Sequence, residues 1–427
     1  MLQSYNDFTT WNAAYITINF YFVVHNLKIH FKMSREDVDH NFNKKFTFTY
    51  NKEWLLPLEA YKCKPQQVES LQSMKAALNA CKGQLNQFAL AEWSKHTKFT
   101  DPSSSIVRTI TKSFKIELLT QAWCKFYECL HAYPIVPNTE EFGSLHLCEA
   151  PGAFISALNY FLSVNYPKVK WNWRASTLNP YNDSNSLDEM IYDDRLIRHT
   201  LKNWEFGLDC TGDLRKFYNH EKLVEICKGV MLVTADGSID CMKDPGEQEH
   251  HVHFLHYCEV MTALKVLGEH GNFVLKLFTM FEHETLCVMY LLNCAFKEVH
   301  VFKPCASKSG NSEVYVICLD YKSFDAKLWD TLIAPYFNGR QGETVMFPLE
   351  LIPSDFVRQV EECAKFFMDL QCERINRNIK LFRTKNEDIL HQIRTLKEKV
   401  AANYVQKFKI TNRLSRRRRL IKSHRRS

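Results

Sequence analysis

Residues 143–154 read GSLHLCEAPGAF. An alternating apolar run ends in Glu149 and a Pro151-Gly152 turn, and the apolar helical pattern PGAFISALNYFLSV follows. A strand, a tight turn and a helix in that order open one half of a nucleotide-binding doubly wound sheet. The usual turn at this place is G-x-G-x-x-G, whose glycines let backbone amides approach a pyrophosphate. Here a single glycine, Gly152, stands beside a carboxylate. The expected ligand is therefore not a pyrophosphate, and one candidate is a group carrying positive charge.

The alternation continues downstream. KWNWRAST, VMLVTADG, NFVLKLF, EVHVFKP and NSEVYVICLDY read as strands, and helical patterns run through LVEICKG, HFLHYCEVMTALKVLGEHG and TLCVMYLLNCAF. Short β-rich runs separated by amphipathic helices predict an α/β, doubly wound sheet. The last two strands are joined by the loop KPCASKSGN rather than a helix, so one strand near the sheet edge is expected to be antiparallel. Residues 53–130 and 354–408 show apolar residues at three and four spacing and read mainly as helix. The chain divides into an extension at 1–52, a helical part at 53–142, the α/β core at 143–325, a helical region at 326–410 and a basic tail at 411–427. No internal repeat is visible.

Composition places few demands on this picture. Of 427 residues, 45% are hydrophobic and 24% charged, ordinary for a soluble globular chain. The formal charge of +7 comes from the tail, TNRLSRRRRLIKSHRRS, without which 47 of the 55 basic residues face 48 acids. Such a tail is expected to be disordered and suits RNA phosphates or nuclear import, so nucleus and cytoplasm are the expected compartments. The 15 cysteines contain no C-x-x-C and sit in apolar patterns, which fits reduced core thiols better than disulfides or a zinc site. The apolar stretch from Trp11 to Val24 is shorter than the roughly 20 residues of a bilayer crossing and lacks the flanks of a secretory signal. Met33 offers a second start, so residues 1–32 carry no functional expectation.

Charges in apolar contexts point to the chemistry. Lys276 lies inside FVLKLF between Leu275 and Leu277, where an unpaired ammonium is costly. Asp236, after VMLVTA, is its expected partner from the neighbouring strand. Glu313 leads into a hydrophobic strand in NSEVYVICL, and Lys125 sits on an aromatic helix in QAWCKFYECL. Taken singly, each has an ordinary structural explanation. Together, in the order Lys, Asp, Lys, Glu, they suggest a site.

These residues carry a resemblance. SLHLCEAPGAF, STLNPY, DCTGDL, LVTADGS, GEQE, FVLKLFTMFEH and VHVFKPCASKSGNSEVYVICL, with EWSKHTKFT and ELLTQAWCKF upstream, resemble the FtsJ-like ribose 2′-O-methyltransferases over about residues 85–375. The resemblance implies a Rossmann-like sheet with N-terminal and C-terminal helical additions, S-adenosylmethionine as cofactor, and Lys125, Asp236, Lys276 and Glu313 as the catalytic tetrad. It implies a cofactor loop holding Glu149, Pro151 and Gly152, with Trp171 in the pocket and Asp236 near the methyl donor. The alternative for Trp171, as for Trp173, is a plain sheet-face aromatic. Asp213 in DCTGDL is placed to accept from an adenine amino group, and Asp209 competes for that role.

Within the family, EWSKHTKFT and QAWCKF look like the cap-modifying branch, which implies capped mRNA as partner and the ribose of a cap-proximal nucleotide, the second transcribed one, as target. Ribosomal or transfer RNA methylation, and a catalytically silent RNA-binding module, are the alternatives. Members of this branch usually continue into a second methyltransferase-like domain, for which this chain shows no counterpart. A nicotinamide dehydrogenase is disfavoured by the missing glycine fingerprint. His250, His253 and His256 have helical spacing without an H-E-x-x-H pattern, and no metal is expected. Lys276 is the expected general base, with burial and Lys125 lowering its pKa and Asp236 raising it.

Overall fold

The computed structural model describes residues 40–241, 244–323, 326–338, 344–384, 386–412 and 419–421. The extension at 1–32 and most of the basic tail lie outside the described residues.

Eight strands form one sheet: β1 (Lys45–Thr47), β2 (Glu141–Leu147), β3 (Lys170–Ser176), β4 (Trp204–Glu205), β5 (Val230–Ala235), β6 (Leu267–Leu277), β7 (Phe296–Phe302) and β8 (Val314–Tyr321). Their order is β1-β7-β8-β6-β5-β2-β3-β4. The run from β4 through β6 is parallel, and β8 lies antiparallel between β6 and β7. The loop-joined last pair thus gives the expected reversed strand, and β1 adds a second antiparallel partner on the edge of β7. That edge strand falls in the N-terminal region, where the sequence shows no strand pattern, because three residues are too few to display alternation.

The helices are α1 (Glu69–Gly83), α2 (Leu90–Thr100), α3 (Ile106–Ser113), α4 (Gln121–Ala132), α5 (Ala153–Asn165), α6 (Arg195–His199), α7 (Phe217–Ile226), α8 (Gln248–Val266), α9 (His283–Ala295), α10 (Ala326–Asn338), α11 (Ser354–Arg383) and α12 (Glu387–Lys407). They cover both faces. One core layer joins α1, α7, α8, α9 and α11 to Phe273, Leu275 and Leu277 of β6. The other joins α3, α4, α5 and α12 to Val274 of the same strand and to Tyr315 and Ile317 of β8. Side chains alternate along a strand, so Lys276 shares the second face with Val274. This is why it is surrounded by apolar neighbours.

The opening stretch folds as a strand, a turn and a helix. Gly152 takes φ +102° at the N-cap of α5, and a Cβ there would meet Leu196 at 2.1 Å. Only glycine fits both the backbone and the space. From Ala153 to Leu162 every residue of α5 is buried, which explains the nearly unbroken apolar run. The chain leaves β2 toward β3 and β4, then returns on the other side of β2 as β5. That reversal makes the carboxyl ends of β2 and β5 a topological switch point, where open α/β sheets place ligands.

Candidate functional site

The four singled-out charges meet as two ion pairs at the strand ends. Lys276 Nζ lies 3.2 Å from Asp236 Oδ1 and donates to the Asp236 carbonyl at 2.7 Å. Lys125 Nζ, delivered by α4, lies 2.7 Å from Glu313 Oε1 and donates to Oε2 at 2.8 Å. The pairs are joined through β8. Tyr315 stands opposite Lys276 in the antiparallel register and donates its hydroxyl to Asp236 Oδ1 at 3.2 Å. Glu313, immediately before β8, also accepts from Ser307 Oγ at 2.8 Å.

Burial and charge act against each other here. Burial alone would lower the Lys276 ammonium, but the Asp236 and Glu313 carboxylates outweigh it and hold its pKa above the ordinary lysine value. Burial would likewise raise Glu313, yet Lys125 and then Lys276 bring it down to about 2. The sequence leaves the net sense for Lys276 open, and the geometry resolves it: in the protein without substrate this lysine is charged.

Beside the pairs opens a cleft of ≈ 600 Å³, within the range of sites that take nucleotide-sized ligands. Its floor comes from the ends of four strands: Cys148 and Ala150 after β2, Thr177 after β3, Asp236 after β5, and Lys276 of β6. Asp188, Glu189, Asp213 and Asp240 add negative charge to the wall, and Met190, Leu214 and Ile239 add apolar surface. Acidic groups beside flat apolar ones suit a ligand with an aromatic base and amine or sulfonium charge, so the residues present fit S-adenosylmethionine.

Several expected contacts fall elsewhere. The Glu149 carboxylate turns away from the cleft and accepts the Ile155 N–H at 3.0 Å, capping the first turn of α5. The acid at the strand end thus answers the helix N-terminus, and the negative charge of the cleft comes from Asp188, Glu189, Asp213, Asp236 and Asp240. Pro151 and Gly152 shape this turn, while its neighbours Cys148 and Ala150 reach the cleft wall. Trp171 does not line the cleft. Its indole N–H donates to Ser144 Oγ at 2.8 Å and its ring stacks near Trp173, so it braces β2 against β3. Of the two competing aspartates, Asp213 lines the cleft, where Arg215 holds its carboxylate. Asp209 binds Lys216, Tyr218, Asn219 and Thr211 and organises its own loop. His253 approaches the His250 carbonyl while His256 is buried. Among the described residues no group of three His, Cys, Asp or Glu is placed to hold a metal, and no helix is long and apolar enough to cross a membrane.

The structure also adds residues that the sequence reading passes over. Lys303, 3% exposed, donates to the carbonyls of Glu313 and Asn311 and to Asn311 Oδ1, which fixes the loop before β8. Glu259, fully buried on α8, accepts the Gly237 N–H at 2.9 Å and is pushed up to about 8 by burial. Tyr315 was legible in principle, since the partner of a buried lysine across an antiparallel ladder is a candidate by register alone.

A doubly wound sheet with strand order β4-β3-β2-β5-β6-β8-β7 and a Lys-Asp-Lys-Glu set beside an acid-lined cleft defines a methyltransferase fold of the Rossmann type. Residues 118–321 match the family model described as FtsJ-like methyltransferase. The chain is 43% identical over 399 residues to the cap-specific mRNA (nucleoside-2′-O-)-methyltransferase 2 of Pongo abelii, covering 90% of this chain and 52% of that protein. To the protein of the same name from Drosophila melanogaster it is 42% identical, covering 88% and 56%. A probable methyltransferase of African swine fever virus is 28% identical, covering 59% of this chain and 62% of the viral one. The chain thus spans about half the length of the curated cap methyltransferases it matches.

Proposed function

We propose that the chain is an S-adenosylmethionine-dependent ribose 2′-O-methyltransferase acting on capped mRNA, with the second transcribed nucleotide as target. The observation that carries this reading is the pairing of Lys276 with Asp236 in the lining of the acid-lined cleft, with the Lys125–Glu313 pair joined to it through β8. The relatives whose names specify this reaction match nearly the whole chain.

Asp213 and Asp236 would hold S-adenosylmethionine, which would supply an electrophilic methyl on a sulfonium. Lys276 and Lys125 hold the ribose hydroxyl in line with it, a positioning task in which small displacements are expensive. An oxygen–methyl bond forms as the sulfur–methyl bond breaks, and the hydroxyl proton passes to Lys276 Nζ in its neutral form. Asp236 orients Lys276 through two contacts, and Glu313 with Ser307 does the same for Lys125. Because the carboxylates favour charged Lys276, only a small fraction is ready to accept the proton near neutral pH.

The test is methyl transfer to three RNAs offered in parallel: a capped leader, the same leader uncapped, and a transfer RNA. Transfer confined to the capped leader supports the reading. Preference for transfer RNA would move the substrate class, and cofactor binding without any transfer would favour a silent RNA-binding module.

A further inference from the structure

Behind the Lys125–Glu313 pair lies a second, separate concentration of positive charge. The antiparallel pairing of Lys45 with Phe302 continues one step outward, where the Lys303 N–H donates to the Lys44 carbonyl at 2.8 Å. Two lysines are therefore neighbours across the ladder at the sheet edge, 4% and 3% exposed. Like charges placed side by side on adjacent strands repel, and burial removes the water that would screen them.

The two ammonium groups are treated differently. Lys303 places three acceptor oxygens around its Nζ, as described above. Lys44 Nζ is buried and, among the described residues, has no hydrogen-bond partner. It lines a cavity of ≈ 50 Å³ together with Lys303, Arg374, Arg377, Ser309 and Asn41, against which Glu373 is the one acid of the lining. The two inner carboxylates that act on Lys44 have donors of their own: Glu128 accepts the backbone N–H groups of Cys305 and Ala306 at 2.7 and 2.8 Å, and Asp101 accepts the N–H and hydroxyl of Ser103. Burial lowers both lysines, with Arg374 adding to it at Lys44 and Lys44 adding to it at Lys303, and burial followed by Arg377 brings Arg374 down to about 10.

We propose that this cavity binds a phosphate group, with Lys44 and Arg374 as its direct ligands. Its volume is that of about four waters at roughly 10–15 Å³ each, close to the bulk of one phosphate. Lys donates to phosphate as a point charge, and Arg adds a planar fork suited to two of its oxygens. The cavity shares Lys303 with the loop that positions Glu313. An occupied cavity would therefore stiffen the site from behind. The phosphate has two possible sources, a phosphodiester of the RNA bound at the active site or a free phosphate ion. The first source rests on the RNA reading above.

Thermal melting of the full chain in phosphate and in chloride at matched ionic strength tests the site, alongside RNA anisotropy across a salt series. The wild type should melt higher in phosphate, and Lys44→Met should lose that increment, because methionine fills the same space without the charge. Arg374→Gln, at a partly buried position of the same lining, gives the same readout should the Lys44 variant fold poorly. If the phosphate is part of the RNA, Lys44→Met also lowers the slope of log affinity against log salt by about 0.7, the value for one phosphate on a single strand. Loss of the melting increment with an unchanged slope assigns the site to free phosphate. Equal melting in both salts together with an unchanged slope overturns the proposal and leaves a cavity that holds water. Methyl transfer by the wild type is measured separately, so failure of this site and failure of the RNA reading are told apart.

Discussion

Lys276 Nζ contacts Asp236 twice, at 3.2 Å from the side-chain oxygen and 2.7 Å from the backbone carbonyl. The carbonyl fixes the ammonium in place, and the carboxylate sets its charge. Since the folded pKa lies above the unfolded 10.5, the pair stabilises the protein fully below pH 10.5 and loses that contribution as pH climbs through the folded value. The same shift governs catalysis. Single-turnover methyl transfer should rise about tenfold per unit between about pH 6.5 and about pH 9, as the neutral fraction of the lysine grows. A pH-independent rate over that range would show that another group accepts the proton.

Glu313 gives the opposite limb. Its pKa falls from 4.5 to about 2 on folding, chiefly because Lys125 and Lys276 overcome its burial. The stability this supplies is present above the unfolded value and is lost as pH drops from about 4.5 to about 2, on the order of 3 kcal/mol. Urea unfolding at stepped pH should show that loss in the wild type and not in Glu313→Gln. The variant should already be weaker at neutral pH, because it leaves Lys125 buried without its counter-ion.

Asp209 and Asp213 separate structure from binding within one loop. Burial would raise Asp209, but hydrogen bonds led by Lys216 hold it well below the usual carboxylate range. Asp209→Asn should therefore lower Tm with little change in cofactor affinity. Asp213→Asn should weaken S-adenosylmethionine binding by roughly tenfold, the scale of one charged hydrogen bond, with a smaller effect on Tm. Calorimetric titration and thermal melts of the two variants check both halves.

Gly237, directly after Asp236, has a packing role. A Cβ there would stand 2.4 Å from Glu259 Oε1, the oxygen that accepts the Gly237 N–H. Gly237→Ala forces either the buried Glu259 carboxylate or the loop itself aside, and either movement disturbs the hydrogen bond that holds the backbone next to Asp236. Transfer should fall by roughly 10²-fold, the scale of a misplacement of about an ångström, even under conditions where the variant stays folded by circular dichroism.

The sheet and the Lys276–Asp236 pair were legible because each leaves a local mark, whereas the pairing of Lys125 with Glu313 was not. Strand alternation sets the order of elements, and Lys276 shows itself as a charge where Val274 and Leu275 announce a buried strand. What the sequence hid was direction. Glu149 is an acid at a strand end in either reading, and whether it faces a ligand or the amide of Ile155 depends on how the turn at Gly152 closes. Trp171 sits on the expected strand, yet its indole points to Ser144. Lys44 and Lys303 are far apart in sequence and become neighbours only through the pairing of β1 with β7, a three-residue strand without visible periodicity.

The most direct test is transfer of labelled methyl from S-adenosylmethionine to a short capped RNA, with nuclease mapping of the labelled ribose and Lys276→Met run in parallel. The account predicts label on the 2′-oxygen of the second transcribed nucleotide, lost in Lys276→Met while cofactor binding persists. Label retained in Lys276→Met, or found on a base instead of a ribose, would contradict it.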